Sequence, residues 1–567
     1  MSNNMPRATM WKFCCILLVV HFVCGFKEKD VKEVRTPQGP VRGYRDPDRN
    51  IFIFRSIPYA TAPTGQNRFR APLPPPVWLE TFDAVDKGII CPQNLDKTKN
   101  IMLNGREKIE ENCLVASVYV PDTTEKKLPV VVYVHGGGFQ IGYGDALTPK
   151  QFVEEKNVIA VTFNYRLGVH GFLCLGTKLA PGNAGMKDQV ALLRWVQKNI
   201  ASFGGNPDDV TLTGYSAGSA AVDLLLLSPS AKGLFHRAIP ESGTNIAPWA
   251  NTVDPLEKAQ TFAKKLNFDS VDDVYTLENY YVSHPLESLT SHMKLDEKDS
   301  TFGFSPCIER SDAGEEPFLT DSPLNVLKSG KFTKVPLLYG FANMEGLLRV
   351  MFFETWKDDM NKKFSDFLPA DLTFDNEEQR EEVATDIKKY YFGDKPVDES
   401  TMLGYIDYFT DVIFAYPALR SLKLQKEAGN NQIYLYEYSF VDEGGYPSGY
   451  KNLMVNGANH CGQTMTILDW PAFLGPEKFS EEFKNIKRTL SDMWYNFITT
   501  NKPVPEGSSY PAWPPMGNDW SPHMSLGNTV ELRGSLLLER TRFWDRIYER
   551  HYRNPVPPPG LTERNEL

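Results

Sequence analysis

The chain is 567 residues long, with 41% hydrophobic and 23% charged residues, the balance of a folded globular protein rather than a collagenous, disordered or polytopic membrane one. Sixty-one Lys and Arg stand against 71 Asp and Glu, a net charge of −10. That excludes the basic footprint of a nucleic-acid binder and leaves little pull toward anionic membranes.

The first 25 residues read as an export signal peptide. Arg7 and Lys12 supply a positive start, Phe13 to Val23 is almost continuously apolar, and Val23-Cys24-Gly25 offers a small residue for cleavage near Phe26. The apolar stretch is too short for a bilayer, which takes about 20 residues, and no later segment reads as a transmembrane anchor. The expected division is a signal at 1–25, one α/β domain at 26–550 and a Pro-rich tail at 551–567. Cys14, Cys15 and Cys24 fall in the signal. Cys91 and Cys113 enclose a mostly polar stretch that a disulfide could close in an oxidising compartment. Cys174, Cys307 and Cys461 show no evident partner and read as small buried hydrophobes.

Along the body of the chain, short apolar runs alternate with helical patterns, the signature of a mostly parallel sheet wrapped by helices. Pro129–His135 and Val158–Asn164 read as buried strands. Ala184–Phe203 is expected to be helical, because Val190, Leu193, Val196 and Ile200 share one face and Gly204-Gly205 ends it. Further strands are expected at Val210–Thr213, Val335–Tyr339 and Gln432–Tyr438. Residues from about 250 to 430 are richer in charged, helix-like segments and read as excursions from the core sheet. There is no internal repeat.

Two motifs carry chemistry. Gly214-Tyr215-Ser216-Ala217-Gly218 lies between the strand Val210–Thr213 and the apolar run Ala220–Leu227. Its glycines allow a sharp strand-to-helix turn that lifts the Ser216 hydroxyl above the sheet, the setting of a nucleophile. His135-Gly136-Gly137-Gly138-Phe139 ends another strand, and its bare backbone N–H groups suit an oxyanion. No Lys-Ser/Thr pair follows, as a phosphate-cradling loop would need. A serine nucleophile needs a histidine base and an orienting acid, in that fold in the order nucleophile, acid, histidine. His460, in the loop Gly457-Ala458-Asn459-His460 after a strand, is where the base is expected; His236, at a strand edge, reads as structural. Glu345 sits in the loop Asn343-Met344-Glu345-Gly346, although on pattern alone other acids remain open. No metal-ligand spacing and no dinucleotide fingerprint is present, so no cofactor is expected.

Together these residues make the chain resemble the type-B carboxylesterase family, which includes cholinesterases and insect esterases. The resemblance also rests on Ile57-Pro58-Tyr59-Ala60, Arg68-Phe69 with Pro72, Asn164-Tyr165-Arg166-Leu167-Gly168, Gly182-Asn183-Ala184-Gly185 with Asp188-Gln189, and Phe203-Gly204-Gly205-Asn206-Pro207. It covers most of the mature chain. The resemblance implies an α/β-hydrolase fold, with a large mixed, mostly parallel sheet flanked by helices. It implies Ser216, Glu345 and His460 as a catalytic triad and the Gly137, Gly138 and Ala217 amides as the oxyanion hole. It further implies Trp249 in the substrate pocket and a Cys91–Cys113 disulfide.

Some positions depart from the family pattern. Tyr215 stands where the family usually has Glu, Cys461-Gly462-Gln463 replaces the usual acidic residues after the histidine, and Asn112-Cys113-Leu114-Val115 replaces acidic-Cys-Leu-Tyr. No Trp lies between Cys91 and Cys113, so a choline ester is not the expected substrate. The implied function is serine carboxylic-ester hydrolysis of apolar small-molecule esters, such as xenobiotic, lipid or odorant esters. The alternative is a catalytically silent adhesion or binding member of the same fold. Such members typically lose the serine and carry a membrane anchor. The last residues, Arg564-Asn565-Glu566-Leu567, resemble a retention signal, so the expected location is the secretory pathway, either the endoplasmic reticulum lumen or the outside of the cell.

Overall fold

The computed structural model describes residues 30–94, 108–292, 295–442, 455–470 and 479–560. The expected export signal and the terminal Arg564–Leu567 lie outside the described residues.

Strands made of unbroken apolar residues must be covered on both faces, which parallel strands between helix layers achieve. Leu128–Val134 shows this directly. Val130, Val132 and Val134 pack into one core while the intervening Val131 and Tyr133 pack into a second. The central sheet has thirteen strands among the described residues. In chain order they are β1 (Val31–Thr36), β2 (Gly39–Arg45), β3 (Ile51–Pro58), β4 (Phe82–Asp83), β5 (Val115–Pro121), β6 (Leu128–Val134) and β7 (Ile159–Phe163). The rest are β8 (Gly205–Tyr215), β9 (Arg237–Glu241), β10 (Leu337–Ala342), β11 (Ile433–Tyr438), β12 (His523–Leu526) and β13 (Val530–Arg533). Their spatial order is β1-β2-β3-β5-β7-β6-β8-β9-β10-β11-β12-β13, with the short β4 beside β2. From β7 to β12 every neighbouring pair is parallel; β1, β2, β3, β5 and β7 pair antiparallel in that order, as does the last hairpin, while the short β4 runs parallel to β2. This is the large mixed sheet of an α/β-hydrolase.

The strands expected near 129–135, 158–164, 210–213, 335–339 and 432–438 are β6, β7, β8, β10 and β11. The helix expected over Ala184–Phe203 is an α-helix to Asn199 that tightens into a 3₁₀ turn, Ile200–Phe203, closed by Gly204 at φ 95°. The antiparallel strands β1, β2, β3 and β5 are an addition to the expected elements. β1 is an edge strand of sequence VKEVRT with no fully buried residue, so it carries no strong apolar signal. On one face of the sheet lie the helices Ala184–Asn199 and Ala217–Leu227; on the other, Glu481–Thr500 buries Ile486, Leu490, Met493 and Phe497.

The sequence motifs outside the candidate site prove to be scaffold. Arg166 and Asp188, both fully buried, form a two-pronged ion pair at 2.6 and 2.8 Å. The remaining guanidinium hydrogens reach the carbonyls of Arg68, Arg70 and Ala184 at 3.0, 2.8 and 3.3 Å. A buried charge is tolerable only when so completely answered. The Tyr59 hydroxyl ties the same region together by donating to the Asn164 carbonyl at 2.6 Å.

Cys91 and Cys113 are joined, as the family resemblance implies. Cys174 and Cys307 correct the sequence reading, for they are not isolated hydrophobes but a second disulfide spanning 133 residues. Gly182 is the reason the two sulfurs can meet there. A Cβ on it would lie 2.7 Å from both Sγ atoms. The neighbouring Asn183 side chain clasps the Cys307 backbone, accepting from its N–H at 2.9 Å and donating to its carbonyl at 2.8 Å. In the chain-entropy picture so long a closure stabilises by about 5 kcal/mol, against about 3 for the shorter Cys91–Cys113 loop.

Candidate active site

Register places the site. In the parallel part of the sheet Val134 pairs with Gly214, Tyr215 with Glu241, Glu241 with Gly340 and Gly340 with Tyr436. The carboxyl ends of β6, β8, β9, β10 and β11 therefore lie side by side. The His135–Gly138 loop follows β6, Ser216 follows β8, Ser242 follows β9, and the Glu345 and His460 loops follow β10 and β11. Ligand sites of open α/β sheets form at this edge, because there the chain turns from strands into helices and loops.

Ser216 occupies a strained backbone conformation, φ 55° and ψ −123°, between β8 and the helix Ala217–Leu227. Hydrogen bonds hold it: its N–H donates to the Glu241 carbonyl at 2.9 Å, and its carbonyl accepts from the Ala220 N–H at 3.0 Å. The two glycines of the motif are there for space. A Cβ on Gly218 would come within 2.1 Å of the Val134 carbonyl oxygen, and one on Gly214 within 2.5 Å of the Gly218 backbone. The turn can be this tight only because neither side chain exists.

The structure brings Ser216, His460 and Glu345 together. His460 Nε2 lies 2.9 Å from Ser216 Oγ, and His460 Nδ1 is in close contact with Glu345 Oε2. Glu345 is fully buried. Its Oε1 accepts from the Ala342 N–H at 2.7 Å and from the Ser242 hydroxyl at 2.5 Å. Gly346, next in the chain, donates its N–H to Thr410 Oγ1 at 2.9 Å and is pressed against the Ile406 carbonyl, which pins the loop. The histidine loop is pinned in turn: the Ala458 N–H donates to Asn343 Oδ1 at 2.8 Å, and the Met344 N–H to the Ala458 carbonyl at 3.1 Å. Ser216 is 9% exposed, so the side chain is nearly covered by its neighbours.

Gly137 and Gly138 lie in the β6 loop beside the turn at Ser216, and Ala217 is the first residue of the following helix. Gly137 has φ 112°, and a Cβ there would be 2.0 Å from the Ile141 carbonyl oxygen. The loop is held by Gln140, whose N–H donates to the Gly137 carbonyl at 2.9 Å and whose Nε2 donates to the Gly138 carbonyl at 3.0 Å.

Aromatic side chains surround these groups. Trp249, almost fully buried, packs near Phe139, Phe302 and Phe414, with ring centroids 6.3, 5.4 and 5.8 Å away. Phe414 lies over the His460 ring at 4.3 Å. A proline sets this geometry. Pro417 has no N–H to give the Ile413 carbonyl four residues earlier, and the helix widens into a π turn over Asp411–Ala415. The freed carbonyl instead accepts the Trp249 indole N–H at 2.8 Å. Phe139, Phe302 and Phe414 were not among the site residues expected from sequence, nor was Ser242. Of these, Phe139 carries a local signal as the last residue of the glycine motif His135–Phe139, and Phe414 carries one in the proline three residues after it; Phe302 and Ser242 carry none.

Glu241, at the end of β9, is buried beneath the turn at Ser216, and burial pushes its carboxyl from 4.5 up to about 8 despite the Thr464 hydroxyl from which it accepts at 2.8 Å. A carboxyl raised on folding stabilises the fold below its unfolded value, and that stabilisation is lost as pH rises through the folded value. Between pH 4.5 and 8 the loss amounts to at most about 5 kcal/mol. Glu241→Gln should therefore flatten the decline in melting temperature over that window. An unchanged slope would show that Glu241 is not a carboxyl held protonated there. Among the described residues no group of three or more His, Cys, Asp or Glu is arranged to hold a metal ion.

Residues 30–544 match the carboxylesterase family, and the chain belongs to that family. It is 31% identical over 534 residues to esterase FE4 of Myzus persicae, covering 89% of this chain and 91% of that protein. It is 32% identical over 559 residues to carboxylesterase 3B of Mus musculus, covering 94% and 93%. Among solved structures, juvenile hormone esterase from Manduca sexta with OTFP covalently attached superposes with a TM-score of 0.82 at 30% identity. That alignment covers 92% of this chain and all of the other.

Proposed function

We propose that this member of the carboxylesterase family is a serine hydrolase that cleaves apolar carboxylic esters through an acyl-enzyme. The observation that carries the reading is the continuous line of hydrogen-bonding atoms Ser216 Oγ, His460 Nε2, His460 Nδ1 and Glu345 Oε2, mounted on a turn that only glycines permit. Ser216 Oγ attacks the ester carbonyl carbon while His460 Nε2 takes the hydroxyl proton. The tetrahedral oxyanion rests on the N–H groups of Gly137, Gly138 and Ala217, each worth on the order of 3 kcal/mol at the transition state. The intermediate collapses, the C–O bond of the alcohol breaks, and His460 returns the proton to the departing alkoxide. Water, deprotonated by the same nitrogen, then attacks the acyl-enzyme and releases the acid. Glu345 keeps the imidazole in the tautomer with Nε2 free to accept.

The aromatic wall of Trp249, Phe139, Phe302 and Phe414 favours apolar acyl or alcohol groups, among them xenobiotic, lipid or odorant esters. Two disulfides fit an oxidising compartment, and among the described residues no helix is long and apolar enough to cross a membrane. The disulfides support a place in the secretory pathway, retained in the lumen of the endoplasmic reticulum or released.

The test is to treat the purified protein with an organophosphate and a series of chromogenic esters of rising acyl length. One phosphoryl group on Ser216 per chain, with loss of ester turnover in proportion, is the expected result. Folded protein that neither hydrolyses any ester of the series nor takes up the phosphoryl group would overturn the reading.

A further inference from the structure

The hydrogen-bond line does not end at Glu345. Its Oε1 accepts from the Ser242 hydroxyl, and Ser242 Oγ in turn accepts from Gln463 Nε2 at 2.8 Å. Gln463 belongs to the short helix Gly462–Ile467 that follows His460, and it is fully buried. Donor arithmetic makes this link directional. A hydroxyl has one hydrogen, whereas an amide nitrogen has two hydrogens and no capacity to accept. With Gln463 Nε2 facing it, the Ser242 hydrogen has one place to go, which is Glu345. Turned over, the amide would present its oxygen and compete for that hydrogen. The Tyr436 hydroxyl lies beside the same amide and gives its own hydrogen toward Glu241 Oε1 at 3.4 Å, which leaves the phenol oxygen free to accept from Gln463. Gln463 Oε1 has no partner among the described residues, an unmet cost that marks the amide orientation as serving its nitrogen.

We propose that Gln463 is a positioning residue: its amide fixes the Ser242 hydroxyl as a donor to Glu345 and thereby holds the carboxylate that orients His460. The proposal rests on the triad reading above. An ionised side chain at 463 would accept from Ser242, take its hydrogen away from Glu345, and set a second negative charge beside the first.

Gln463→Met keeps the volume and removes both donors. It should lower kcat for a chromogenic ester about tenfold and leave KM within twofold, since Gln463 acts on the base rather than on the substrate pocket. In a Ser242→Ala background the same change should alter kcat less than twofold, because the group through which Gln463 acts is gone. Gln463→Glu supplies a second readout with the size conserved. A protonated glutamic acid can still donate to Ser242 and an ionised one cannot, so the ratio of variant to wild-type kcat should fall as pH rises. The titratable groups facing this position are Glu345 from the β10 loop, His460 and Cys461 from the histidine loop, Glu241 from β9 and Tyr436 from β11. They are shared with the wild type, so the ratio isolates residue 463. An equal loss with and without Ser242, or a flat ratio for Gln463→Glu, would overturn the proposal while the wild type remained an active esterase. A folded wild type without ester turnover or phosphorylation would overturn the triad reading and this proposal together.

Discussion

Ser216→Ala should abolish ester turnover to within a factor of about 10³–10⁴ of the uncatalysed reaction, a fall in kcat on the order of 10⁴–10⁶. On the proposed mechanism, what is left behind is the His135–Gly138 loop and the aromatic wall, which can still bind and polarise an ester but offer nothing to acylate. The fold should be indifferent. The strain at Ser216 belongs to its backbone, φ 55° and ψ −123°, and alanine can occupy it as serine does. Its hydrogen bonds to Glu241 and Ala220 are also made by backbone atoms. Melting temperature within a few degrees of the wild type, with turnover gone and no organophosphate uptake, is the expected pair of results. Retained turnover with the same pH profile would place the nucleophile elsewhere.

How much of this was legible in the sequence depends on how local each feature is. The turn at Ser216 was readable because its requirement is met within five residues: Gly218 must clear the Val134 carbonyl, and no other residue can. The His135–Gly138 loop was readable for the same reason, as was the Gly204 stop to the helix before β8. The acid was different. Pattern alone left several carboxylates open, and resemblance rather than spacing pointed to Glu345. What distinguishes it is the contact that the β10 loop makes with the β9 and β11 loops, where Ala342, Ser242 and His460 all address one carboxylate.

Features made by distant segments left no trace. The partner of Cys174 is Cys307, brought beside it by Gly182 and Asn183, and nothing near either cysteine announces the other. Ser242 is an ordinary serine until β9 is placed between β8 and β10. The antiparallel strands at the start of the chain were missed for another reason. Only β1 of them stands at the edge of the sheet, where strands are kept polar so as not to aggregate, which erases the alternation by which strands are recognised; β3 and β5 are interior, apolar and buried.

Glu345→Gln carries the second large effect, and its sign follows from the donors around the side chain. The Ala342 N–H and the Ser242 hydroxyl both give their hydrogens to Oε1. A glutamine at 345 would have to leave its oxygen with those two donors and turn its NH₂ toward His460 Nδ1. An amide nitrogen cannot accept, so Nδ1 would lose its hydrogen and accept instead, and the imidazole proton would move to Nε2. In the proposed mechanism that is the nitrogen that takes the Ser216 proton. The histidine would stand in place, 2.9 Å from the serine, in the tautomer that cannot act as its base. Kcat should fall by about 10³–10⁴ with KM little changed. Activity should recover in part at high pH, where hydroxide can take the serine proton directly. The smaller loss expected on weakening the Ser242 link is the contrast that gives the prediction its force. Removing one donor from an intact carboxylate loosens the orienting group, whereas replacing the carboxylate reverses the direction of every hydrogen between Glu345 and Ser216. If the two kinds of change cost the same, the carboxylate would be acting by charge alone, and the choice of tautomer would not be what the buried network maintains.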